Sequence, residues 1–209
     1  QRRNLRMIAG KCLMDRHCPE FLRDTAESGY RDSKALIERW HGQARLGYAI
    51  TPRFAPTSTP KQLATCGRLA HEHSEVWIQS HVAENKAEIA WAKELFPQAR
   101  SYLDVYDRAG LLRNRAIYGH CIWLDDADRA RMAKSGAAAA FCPTSNLFLG
   151  SGLYNYATAR AAGMKTGLAT DVGGGTSYSM LVTLAEGYKV QQLLGTTLRP
   201  AQLLYLATL

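Results

Sequence analysis

Thr170-Asp171-Val172-Gly173-Gly174-Gly175 puts a lone carboxylate at the end of an apolar run, immediately before three consecutive glycines. Two earlier runs end in the same manner on histidine: Val76-Trp77-Ile78-Gln79-Ser80-His81 and Ala116-Ile117-Tyr118-Gly119-His120. Each reads as a buried strand that delivers one polar side chain at its C-terminal end. A TIM-type (β/α)8 barrel builds a site in this way, from the ends of several strands spaced one βα unit apart. Two histidines and an aspartate so placed suit a catalytic zinc, provided that a further pair of ligands comes from elsewhere.

Working outward from these runs, strand-like and helix-like segments alternate along the chain. The strand candidates are residues 6–14, 48–53, 76–81, 116–120, 137–142 and 166–171. Between them, Ser33 precedes the amphipathic Lys34-Ala35-Leu36-Ile37-Glu38-Arg39-Trp40. Thr59-Pro60 reads as an N-cap followed by proline at the first helical position. Ala87, Ala90, Trp91 and Leu95 share one face at helical spacing, and Thr176 or Ser177 is placed to cap a helix over residues 180–194. Such alternation predicts a parallel sheet covered by helices. Six units fit the 209 residues, whereas a closed barrel takes eight strands and about 250 residues. The expectation is a single-domain α/β chain over residues 1–209, an incomplete TIM-type barrel with its N-terminal strands absent. A doubly wound sheet is the rival, but no Gly-x-Gly-x-x-Gly follows an early strand and the ligand-like residues sit on several strands.

Net charge is +8, with 26 basic and 18 acidic residues. The basic residues are scattered and never run to five, so they read as a solvated surface rather than a phosphate-tracking one, and no nucleic-acid partner is expected. With 46% hydrophobic residues and no apolar run near the roughly 20 residues a membrane helix needs, a globular chain with no membrane partner is expected. Gln1-Arg2-Arg3-Asn4 lacks an initiator Met and a signal-peptide core, and reads as the interior of a longer chain. Five cysteines without Cys-x-x-Cys indicate neither a disulfide framework nor a thiolate metal site, and suit a reduced, cytoplasmic setting.

The chemical residues gain weight by coincidence. His81-Val82-Ala83-Glu84 alone is a weak motif, equally a capping histidine and a surface acid. Joined to His120 and Asp171 at matching strand ends, it pairs a metal ligand with a proton shuttle. Arg53-Phe54 sets a planar five-donor fork beside an aromatic face, a combination suited to a flat heterocycle, although each also has an ordinary reading as surface and core. Cys142-Pro143-Thr144-Ser145-Asn146 either lines the same mouth or is a plain turn. His71-Glu72-His73 resembles a zinc pair but ends a helix before residues 76–81, on the stability side of a barrel, and is rejected. His17 and His41 carry no signal, and Trp40, Trp77, Trp91 and Trp123 are expected in the core.

At these residues the chain resembles the amidohydrolase superfamily. The matching stretches are Tyr48-Ala49-Ile50-Thr51-Pro52-Arg53-Phe54-Ala55-Pro56-Thr57-Ser58, Gln79-Ser80-His81-Val82-Ala83-Glu84-Asn85, Gly119-His120-Cys121, Phe141-Cys142-Pro143-Thr144-Ser145-Asn146 and Thr170-Asp171-Val172-Gly173-Gly174-Gly175-Thr176-Ser177. The Arg-Phe and Asp-Val-Gly-Gly-Gly segments resemble its guanine-deaminating branch in particular. The resemblance implies one zinc held by a His-x-His pair, a His and an Asp, the last two matched by His81 and Asp171. It makes His120 the contact of the catalytic water and substrate, Glu84 the acid/base, and Arg53 and Phe54 the purine-binding pair. The substrate-binding set it implies is Arg53, Phe54, His81, Glu84, His120 and Asp171. No His-x-His precedes Arg6, so the 209 residues alone are expected to be inactive. Guanine and water are the implied partners, and the resemblance allows a homodimer. Alternatives are an amidohydrolase acting on a cytosine, triazine or S-adenosylhomocysteine ring, a basic nucleic-acid module, or an inactive remnant. The other zinc deaminase design requires Pro-Cys-x-x-Cys, which the chain lacks.

Overall fold

The structure is a computed structural model that describes residues 4–208, so the reading of Gln1-Arg2-Arg3 lies outside the described residues. Residues 6–14 form one interrupted strand, β1 (Met7–Ala9) and β2 (Cys12–Leu13). Both run parallel to β3 (Leu46–Pro52) in unbroken register, from Met7 opposite Leu46 to Leu13 opposite Pro52. The interruption falls at Gly10, where a Cβ would overlap the Ala49 carbonyl. A glycine inside a strand marks such a close backbone approach.

Strands β4 (Trp77–Val82), β5 (Ala116–His120), β6 (Ala138–Phe141) and β7 (Lys165–Leu168) follow. The sheet order is β1-β3-β4-β5-β6-β7, with β2 also on β3. This order follows the chain without reversal, whereas a doubly wound sheet turns back at a switch point. It is the winding of a TIM-type barrel, here incomplete. The helices are α1 (Ala26–Trp40), α2 (Pro60–Glu72), α3 (Lys86–Leu95), α4 (Tyr102–Arg108), α5 (Asp126–Ser135), α6 (Pro143–Phe148), α7 (Tyr156–Ala161), α8 (Met180–Leu193) and α9 (Pro200–Thr208). None is long and apolar enough to cross a membrane.

The chain divides into two compact units, one of residues up to 80 with 92–117, the other of 81–91 with 118 onward. The division crosses β4 and β5, whose beginnings belong to the first unit and whose ends belong to the second. Ile78 N–H donates to the Arg115 carbonyl in the first unit, and Cys121 N–H to the Val82 carbonyl in the second. In the first unit α1 and α2 pack on β3, over a core of Leu13, Ile50, Leu69, Ile78, Leu103 and Tyr106. The buried Tyr106 hydroxyl accepts from Ala55 N–H and from Ser80 Oγ, each at 2.9 Å, so its polarity is satisfied. In the second unit α7 and α9 pack on β7 and α8 on α6, over Tyr118, Met132, Phe141, Tyr154 and Val190.

Local caps agree with the sequence at one helix and differ at two. Thr59 caps α2 with Pro60 at its first position, as expected. Helix α1 begins earlier than Ser33, at a capping box of Thr25 and Ser28, and Ser33 is buried within it. Ser179, not Thr176 or Ser177, caps α8. The tryptophans are not core: Trp123 is 41% exposed, and Trp40, Trp77 and Trp91 are half-buried. Arg39, Arg115 and Lys86 lie over the rings of Trp40, Trp77 and Trp123. Indole faces attract cations, which lets these rings stay at the surface.

Candidate active site

Strand β4 alternates, burying Ile78, Ser80 and Val82 and leaving Trp77, Gln79 and His81 on the half-exposed face. His81 is therefore held by the sheet yet reachable. His120 closes β5 and is 2% exposed. Asp171 corrects the expectation that the last strand runs to it, since β7 ends at Leu168. Ala169 N–H still donates to the Phe141 carbonyl at 2.9 Å, after which the backbone leaves the sheet. Ala83, His120, Cys121 and Asp171 all have positive φ, at 51, 68, 53 and 48°. That region is disfavoured for side-chain-bearing residues and collects at functional sites. The glycine turn explains the position of Asp171. Gly173 has φ of 116°, and at Gly175 a Cβ would overlap the Thr170 carbonyl.

The result is one cluster inside the second unit. Ligand atoms of His81, His120 and Asp171 all lie within 4.8 Å of one another. The two imidazoles stack with centroids 5.5 Å apart. Two imidazole nitrogens and a carboxylate oxygen form a donor set for a divalent ion, and bonds of about 2.0–2.2 Å to one ion bridge this span after small side-chain movements. The residues therefore fit a metal of this kind. His120 Nε2 lies 3.6 Å from Glu84 Oε2 and 3.9 Å from Asp171 Oδ2. Its Nδ1 is 2.8 Å from Asn146 Oδ1. With Nδ1 engaged by that amide, Nε2 is the ring nitrogen that faces the two carboxylates. Glu84 Oε1 accepts from Ser151 Oγ at 2.8 Å, and Glu84 N–H donates to Glu88 Oε2 at 3.0 Å.

Cysteine does not compete as a ligand here. All five are free, and burial, then the Asp171 charge, push the Cys142 thiol up to about 12. Of the residues singled out from sequence, His81, Glu84, His120 and Asp171 are brought together, and Asn146 of the Cys142–Asn146 stretch joins them through His120. Arg53 and Phe54 follow β3 in the first unit, with the guanidinium 4.7 Å from the ring centroid. His71-Glu72-His73 closes α2, where Glu72 accepts from Tyr30 at 2.6 Å, and is absent from the metal-compatible grouping among the described residues. His41 Nδ1 accepts from Tyr48 N–H at 3.1 Å, and His17 contacts the Pro56 carbonyl at 2.8 Å. Sequence reasoning missed Ser151 and Glu88. Glu88, four residues from Glu84 at a helix start, had a local signal; Ser151 had none.

The chain is similar to several known proteins. The chain is 52% identical over 206 residues to guanine deaminase of Escherichia coli (strain K12), covering 99% of this chain and 47% of the relative. The solved E. coli guanine deaminase superposes with a TM-score of 0.97 at 52% identity, over 98% of this chain and 48% of that one. A guanine deaminase from C. acetobutylicum, solved with guanine bound in its active site, superposes at 0.92 with 27% identity, over 95% of this chain and 49% of that one. The chain thus spans about half the length of the curated relatives it matches. Its residues 1–209 match the family model described as "Amidohydrolase family", and with His, His and Asp gathered beyond parallel strands of an incomplete barrel, the chain belongs to that metal-dependent hydrolase family.

Proposed function

We propose that the intact protein deaminates guanine hydrolytically, giving xanthine and ammonia, with one zinc ion held in part by His81 and Asp171 beside His120. The convergence of these three side chains with Glu84 carries the reading of hydrolytic deamination. The guanine deaminases it resembles support guanine as the ring.

His81 and Asp171 would hold the zinc, which supplies Lewis-acid activation of water at neutral pH. His120 would orient that water through Nε2, because Asn146 occupies Nδ1. Asp171 Oδ2, 3.9 Å from His120 Nε2, would accept a hydrogen bond from the same water and help to orient it toward the purine carbon bearing the amino group. Glu84 Oε2 takes a proton from the water and passes it to the adjacent ring nitrogen. The remaining water proton follows the same carboxylate to the amino group, which leaves as ammonia. Such positioned proton transfer contributes roughly 10²–10⁴-fold. Arg53 and Phe54 are assigned purine recognition on the chemistry of the pair, a bidentate donor fork beside an aromatic face. The reading extends to a cytoplasmic setting, supported by the free cysteines.

The test is ultraviolet assay of the intact protein against guanine, adenine, cytosine and a triazine. Guanine is expected to be the substrate turned over, and Arg53→Lys should lower kcat/KM for guanine by about 10-fold or more, since a point charge cannot replace a bidentate fork. Turnover of another ring alone would replace guanine, and unchanged kinetics in Arg53→Lys would remove that residue from recognition.

A further inference from the structure

Ser151 follows α6 and is 6% exposed, and each of its polar groups is engaged. Its N–H donates to the Asn146 carbonyl at 2.9 Å. Its carbonyl accepts from Trp123 Nε1 at 2.9 Å. Its hydroxyl donates to Glu84 Oε1 at 2.8 Å. The next residue, Gly152, is turned to φ of 130° against the Trp123 ring, where a Cβ would stand 2.8 Å from Cζ2. Trp123 is itself tied back to the Glu84 segment, because its N–H donates to the Ala83 carbonyl at 3.1 Å. The serine is thus fixed at both backbone ends before its side chain meets the carboxylate.

That hydroxyl has one proton to give and gives it to Oε1. Oε1 is thereby committed as an acceptor, and a proton carried by Glu84 resides on Oε2. Oε2 is also the oxygen 3.6 Å from His120 Nε2. The segment that holds Ser151 also holds His120, since Asn146 accepts from Ser151 through its backbone and contacts His120 Nδ1 through its side chain at 2.8 Å. Six residues of chain, Asn146 to Ser151, therefore set both proton-handling groups in register.

Resting on the proposed deamination, we propose that Ser151 is a positioning residue for Glu84, selecting Oε2 as the oxygen that carries the proton. Without the hydroxyl Oε1 is no longer committed as an acceptor and the carboxylate has a freer torsion. The proton is then delivered from a distribution of positions, and the chemical step suffers more than binding.

The test uses the intact zinc-loaded protein with Ser151→Ala and Ser151→Thr. Ser151→Ala is expected to lower kcat about tenfold, the scale of one hydrogen bond to a charged group, with KM for guanine, zinc content and circular dichroism unchanged. Ser151→Thr retains the hydroxyl and should recover most of kcat. A readout independent of substrate is the carboxylate infrared band of Glu84, identified by subtraction of Glu84→Gln, which should shift in Ser151→Ala. Unchanged kcat in Ser151→Ala, or a threonine variant as slow as the alanine one, overturns the inference. If the wild-type protein leaves guanine intact, the proposed function fails by itself, and an unshifted Glu84 band then overturns the role of Ser151 separately.

Discussion

At the scale of single residues, the surroundings of Glu84 and His120 leave one polar atom of each turned toward the other. Glu84 Oε2 and His120 Nε2 face one another at 3.6 Å, while their other polar atoms are occupied by Ser151 and Asn146. Glu84→Gln keeps the size and one hydrogen bond but removes the exchangeable proton. The expected outcome is a loss of roughly 10²–10⁴-fold in kcat with zinc content intact by elemental analysis. Loss of zinc from Glu84→Gln would instead make Glu84 a ligand. The polar residues of the cluster were legible in sequence because each stands alone at or just past the end of an apolar run. Ser151 was not, since its separation of 67 positions from Glu84 leaves no local pattern, and a serine after glycine has an ordinary reading as a turn.

At the scale of elements, strands were read more securely than their ends. The interval 116–120 matches β5 residue for residue, because its apolar run is bounded by polar residues on both sides. The interval 166–171 overshot, since β7 stops at Leu168 and the glycine turn carries Asp171 into the site. Helix α1 was read short because the Thr25–Ser28 capping box precedes a polar first turn with weak periodicity. Gly175→Ala tests the turn. A Cβ there meets the Thr170 carbonyl, so the backbone around Asp171 must shift, at a cost of about 1–3 kcal/mol for overpacking. The variant should retain its helical circular dichroism and lose zinc affinity and turnover. Normal zinc retention would mean that Asp171 is placed by β7 alone.

At the scale of the whole molecule, β1 pairs on one side only, with β3, among the described residues, with Met7 59% and Ile8 37% exposed. An open apolar strand edge templates association. The 209-residue polypeptide prepared by itself is therefore expected to associate with rising concentration in sedimentation velocity. It should also carry less than one zinc per chain, because His81 and Asp171 are the direct ligands proposed and a catalytic zinc takes about three or more. A monodisperse preparation with stoichiometric zinc would assign His120 to the metal as well. The sequence alone determined the alternation of strands and helices, the parallel order and the polar residues at strand ends, because periodicity and the placement of polar groups are local properties of the chain. Only the tertiary structure decided that β7 ends early, that Asn146 and Ser151 bond to His120 and Glu84, and that Trp40, Trp77 and Trp123 lie under cations. Those outcomes depend on which distant atoms arrive within about 3 Å for a hydrogen bond or about 6 Å for a cation over a ring, and that is settled by packing across the sheet.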